Sequence, residues 1–103
     1  MSRSRGSIRL DLNNSEFQEQ FFSLEKADAL SVLGAMRKLS RMSWEQVYQD
    51  PGVRWEAIAS KVGPAGGRLY SLRMGKGLRA VAFRQDDWLR ILSLHPDHDS
   101  AYE

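Results

Sequence analysis

The chain has 103 residues, 42% of them hydrophobic and 27% charged, which sets a single domain with a modest core and argues against wholesale disorder. It has no cysteine, which excludes disulfides and thiolate-bound zinc, and only two histidines, His95 and His98, so neither a metal site nor a cofactor is expected. The formal net charge is only +2, no apolar run is long enough to span a membrane, and the basic start MSRSRGS has no apolar stretch after it, so a cytoplasmic location is expected.

Met1 to Gly6 is expected to be a flexible end, with Arg3 and Arg5 available to a polyanion. Ile8, Leu10 and Leu12 alternate with Arg9 and Asp11, which predicts a short first strand ended by Asn13-Asn14-Ser15. Phe17, Phe21 and Phe22 have a helix-compatible spacing that an extended segment also accommodates. From about Leu24 to Ser40 good helix formers predict the main helix, with Leu30, Leu33, Met36 and Leu39 as the apolar stripe and Lys26, Arg37 and Lys38 turned to solvent. Ser43-Trp44-Glu45-Gln46 fits a capping box, so a second helix begins near Trp44, and Asp50-Pro51-Gly52 stops it. The two form a helical hairpin.

Val53, Trp55 and Ala57 alternate with Arg54 and Glu56 and predict a strand from Val53 to Ile58. Lys61 to Gly67 reads as a glycine-rich loop, without the strand-to-helix context of a P-loop. Three strands then follow, Leu69 to Met74, Leu78 to Phe83 and Trp88 to His95, separated by the short turns Gly75-Lys76-Gly77 and Gln85-Asp86-Asp87. Such tight connections exclude parallel neighbours, so these strands form an antiparallel meander. The expected fold is α+β: an N-terminal strand and a helical hairpin packed on one face of a mostly antiparallel four- to five-stranded sheet, in one domain over 1–103.

The meander carries most of the positive charge. Arg68, Arg73, Lys76, Arg79, Arg84 and Arg90 face only Asp86 and Asp87 between Arg68 and His95. Arginines held on strands make a rigid cationic face suited to phosphate, so Arg68, Arg84 and Arg90, with Lys76 in the turn, are candidate phosphate contacts. His95, at a strand end before Pro96, reads as structural. Trp44, Trp55 and Trp88 read as core or interface residues.

Tyr70-Ser71-Leu72-Arg73, Gly77-Leu78-Arg79-Ala80-Val81 and the tail His98-Asp99-Ser100-Ala101-Tyr102, set behind a helical hairpin, resemble the RelE/ParE superfamily of bacterial toxin-antitoxin toxins. The resemblance covers most of the chain from Leu24 onward. In its RelE-like branch it implies a metal-independent endoribonuclease that cleaves messenger RNA on the ribosome and is neutralised by a cognate antitoxin. It also implies a catalytic set. Arg79 matches the family's strand arginine that takes the cationic role, and Arg73 a second basic strand position. His98 and Tyr102 match the tail residues for proton transfer and for base stacking or proton transfer. Asp97 and Asp99 depart from the pattern by making the tail acidic. The family leaves two alternatives, a ParE-like toxin that inhibits DNA gyrase without cutting nucleic acid, and a RelE-fold binding protein without catalysis. A homodimer or a hetero-oligomer with the antitoxin is compatible with either.

Overall fold

The computed structural model describes residues 7–96. The elements run β1 (Arg9–Asp11), α1 (Ser15–Phe22), α2 (Lys26–Leu39), α3 (Trp44–Gln49), β2 (Glu56–Val62), β3 (Arg68–Gly75), β4 (Leu78–Gln85) and β5 (Trp88–His95). The five strands form one sheet in the order β1-β5-β4-β3-β2. β1 lies parallel to β5, and every other neighbouring pair is antiparallel. The α+β architecture is the one the sequence pattern predicts, with a third helix. The phenylalanine segment is helical because Asn14 caps it, its side-chain oxygen accepting from the Phe17 amide at 3.0 Å.

The helices cover one sheet face, where Phe17, Val32, Met36, Leu39, Trp44 and Val47 pack on Leu72, Met74, Ala80, Ala82, Leu89 and Ile91. Each large aliphatic side chain fully buried there contributes roughly 1.5–3 kcal/mol. The capping box forms as expected: the Ser43 amide donates to Gln46 Oε1 at 2.8 Å and the Gln46 amide to Ser43 Oγ at 3.2 Å.

Two details differ from the sequence reading. On α2 the buried stripe is Val32, Met36 and Leu39, whereas Leu30 and Leu33 are 58% and 44% exposed. Both stripes satisfy helical spacing, and close approach decides between them. A Cβ on Gly75 would lie 2.9 Å from Ser31 Cβ, so the small Ser31 side must face β3, which turns Leu30 and Leu33 outward. The second difference is β2. It begins at Glu56, not Val53, and extends to Val62 through what reads as loop. Arg54 has φ 54°, in the left-handed region, which breaks extended backbone just before the strand. Gly63 to Gly67 then turn tightly, the Gly63 amide donating to the Gly67 carbonyl at 2.6 Å.

The face away from the helices is not bare. One end carries a small apolar cluster of Ile58, Leu69 and Val81 with Phe83 and Leu92 beside it. The other end is polar.

Candidate functional site

That polar end follows from the strand register. Arg73 pairs with Arg79 across β3 and β4, and Arg79 pairs with His95 across β4 and β5. In the next row Glu56, Ser71, Val81 and Ser93 are successive partners from β2 to β5. Directly opposed residues share a face, so Glu56, Ser71, Arg73, Arg79, Ser93 and His95 stand together on the face without helices.

His95 gets there by a bulge. Ala82 pairs with Ile91 but Val81 with Ser93, which leaves Leu92 as the extra residue on β5. Leu89, Ile91 and Leu94 therefore point to the main core, while Ser93 and His95 turn to the open face. Bulges re-aim side chains in this way. The Leu94 amide beyond the bulge is satisfied by Gln20 Oε1 of α1 at 2.6 Å.

Arg79 is the centre of the arrangement. It is 5% exposed, and its Nη2 donates to Ser71 Oγ at 2.8 Å, to the Arg54 carbonyl at 3.0 Å and to Glu56 Oε1 at 3.4 Å. A guanidinium stays charged when buried, so it needs acceptors, and this site supplies three. Its Nε is buried with no hydrogen-bond partner among the described residues. The left-handed backbone at Arg54 aims that residue's carbonyl at Arg79, and Arg54 is among the residues that line the same cleft. The cleft has a volume of about 270 Å³ and is walled by Arg54, Arg73, Gly75, Gly77, Leu78 and Arg79. Gly77 has φ 73°, which the two-residue hairpin connection requires, and the position of its missing Cβ is 3.7 Å from the Pro96 carbonyl. His95 Nε2 lies 2.9 Å from Ser93 Oγ, which orients the ring beside Arg79.

No family model matches the sequence, and no curated protein matches it. A solved structure does. The chain is similar to a copper-bound point-mutant toxin from Helicobacter pylori, with a TM-score of 0.51 and 21% identity over 89% of this chain and 96% of that one. At that identity the likeness is one of fold.

The structure sorts the sequence candidates. It brings Arg73 and Arg79 together and puts the exposed Lys76 in the turn between their strands. Arg68 is exposed at the far end of β3. Arg84 lies elsewhere, its guanidinium 4.6 Å over the Trp44 ring while it donates to Tyr48 Oη at 2.7 Å and to the Asp86 carbonyl at 2.8 Å. Arg90 binds the Asp11 carboxylate and Gln85 Oε1, tying β1 to β5. Both are engaged in holding the fold. His98 and Tyr102 lie outside the described residues.

Arg54, Glu56, Ser71, Ser93 and His95 are site residues that the sequence reading did not name as such. A signal for some of them was present. An arginine between Leu78 and the apolar run Ala80 to Phe83 needs buried acceptors, and Ser93 and His95 stand two apart on the neighbouring strand.

Proposed function

We propose that this chain is the toxin of a toxin-antitoxin pair and that it cleaves messenger RNA by attack of a ribose 2′-hydroxyl on the adjacent phosphate. The observation that carries the reading is the row Arg73–Arg79–His95 beside Glu56: Arg54, Arg73 and Arg79 wall one cleft, the Glu56 carboxylate contacts Arg79, and His95 is the cross-strand partner of Arg79. The fold likeness to a toxin adds support.

In this scheme a backbone phosphate sits between Arg54, Arg73 and Arg79, whose charges offset the negative charge that builds up on the phosphorane oxygens. The Glu56 carboxylate takes the 2′-hydroxyl proton, the 2′-oxygen bonds to phosphorus, and the bond to the 5′-oxygen breaks. Proton donation to that leaving oxygen is assigned to the histidines at the end of β5 and just beyond it, His95 and His98. The products are a 2′,3′-cyclic phosphate and a 5′-hydroxyl, so the balance needs neither metal nor cofactor. Lys76 adds a phosphate contact and Tyr102 stacks on a base. An acidic antitoxin and the ribosome are the partners this reading entails.

The test is purified protein added to translating ribosomes, with RNA ends analysed chemically. Cuts bearing 2′,3′-cyclic phosphates and lost in Glu56→Gln support the scheme. Intact messenger combined with inhibited DNA gyrase would replace it with the ParE-like alternative.

A further inference from the structure

We propose that the hollow between α2 and the end of β3 is a base-binding subsite of the arginine cleft, which holds the nucleobase next to the phosphate that is cut. It rests on the RNA-cutting role given to that cleft.

The hollow exists because β3 outruns its neighbour. β2 pairs with β3 only from Arg68 to Ser71, so Arg73, Met74 and Gly75 extend past it. The chain just before β2 crosses there instead, and the Arg73 amide donates to the Val53 carbonyl at 2.8 Å. Gly52 and Val53 wall the hollow, while Arg54, with its left-handed backbone, walls the cleft. Ser31, Ala35 and Lys38, spaced one helical turn apart on α2, supply the opposite wall. Arg73 and Gly75 line both cavities. A ligand with its phosphate in the cleft therefore reaches the hollow by crossing one exposed arginine.

Its lining suits a flat organic ring. The volume is about 290 Å³, and the floor is apolar, made by Leu39, Val53 and Met74 of the main core. An apolar floor with a few polar groups at the rim is the usual build of a small-molecule site. A bare phosphate would gain nothing from it.

Lys38 adds selectivity at the rim. Its Nζ is held by Asp50 at 3.1 Å, which uses one of three donors and fixes the ammonium beside the hollow. The remaining donors suit an exocyclic carbonyl, which guanine and uracil carry and adenine lacks. Gly52 keeps this corner clear, because a Cβ there would lie 3.1 Å from Asp50 Oδ1 and 3.4 Å from Lys38 Nζ. A side chain at that position would press on the ion pair.

The experiment follows the full chain, isotope-labelled, by NMR as a dinucleotide is added whose 5′ nucleoside lacks the 2′-hydroxyl, so that it binds and is not cut. Dimethyl phosphate, a diester without bases, is the control. Both ligands are expected to shift the Arg73 and Arg79 side-chain signals, and only the dinucleotide to shift the Ala35, Val53 and Met74 methyls. Guanine and uracil dinucleotides are expected to bind about tenfold more tightly than the adenine one through the Lys38 contact. Lys38→Met, which keeps the apolar stem and loses the donors, is expected to erase that preference. Ala35→Leu, which fills the hollow, is expected to abolish the Val53 and Met74 shifts and to leave the response to dimethyl phosphate unchanged. The proposal is overturned if the arginines respond and the methyls do not, an outcome that leaves the RNA-cutting role of the cleft standing. Methyl shifts without an arginine response, or no response from either, would contradict both. It is equally overturned if neither variant alters dinucleotide binding, or if free indole shifts the same methyls as strongly, since a partner's aromatic side chain would then serve as well as a base.

Discussion

Arg73 and Arg79 are direct partners across β3 and β4, yet the first is exposed and the second is 5% exposed. Two arginines on one face thus have different jobs. Arg79 is fixed by Ser71, Arg54 and Glu56, while the exposed Arg73 side chain makes no hydrogen bond or salt bridge among the described residues.

Arg79→Ala removes the charge and strands its acceptors. We expect a stability loss of roughly 1–3 kcal/mol by urea unfolding, together with a drop in cleavage of about 10² to 10³. Arg73→Ala is expected to stay within about 0.5 kcal/mol of wild type and to lose activity alone. Equal destabilisation by both variants would contradict the division of roles.

Ser71 is fully buried and its hydroxyl takes the shortest of the Arg79 contacts. Ser71→Ala is expected to cost about 1 kcal/mol and to loosen the guanidinium. Cleavage should then fall in kcat with KM little changed, and Ser71→Thr should recover part of it. A KM effect alone would mean that Ser71 does not act through Arg79.

His95 faces Arg79 only because of the bulge at Leu92. His95→Gln is expected to slow cleavage by about 10² or more with the unfolding transition unchanged, and His98→Gln measured in parallel divides proton donation between the two rings. If both variants cut at the wild-type rate, neither ring is the acid.

The Lys38 side chain, which hydrogen-bonds Asp50, and the Gly52 amide behind it hold the Asp50 carboxyl below the usual aspartate range. A depressed carboxylate stabilises the fold above its unfolded-state value, and that contribution disappears as pH falls through the folded value. Thermal unfolding of Asp50→Asn should therefore differ from wild type at neutral pH and converge with it below about pH 4. A constant gap at all pH values would show that ionisation is not the source.

How much of this was legible in the sequence depended on local signals. The meander was readable because three runs of strand-forming residues are separated by two tight turns, and α3 because Ser43 and Gln46 form a reciprocal cap. The outward turn of Leu30 and Leu33 was not, because two stripes on α2 obey the same period and only the approach of Gly75 to Ser31 chooses between them. The site was half legible. Arg73 and Arg79 are on strands where alternation puts them on one face. His95 was hidden because one extra residue on β5 inverts the alternation behind it, and Glu56 because the left-handed Arg54 delays the start of β2. Period-two reasoning has no means of seeing a bulge.

The most direct measurement is induction of this protein alone in a bacterial host, with Arg73→Ala and Glu56→Gln as folded controls and primer extension on translated messages. The account predicts growth arrest with discrete messenger cuts for the wild type and neither for the two variants. Arrest without cuts, or cuts that persist in Glu56→Gln and Arg73→Ala alike, would contradict the assignment of this cleft as the cleaving site.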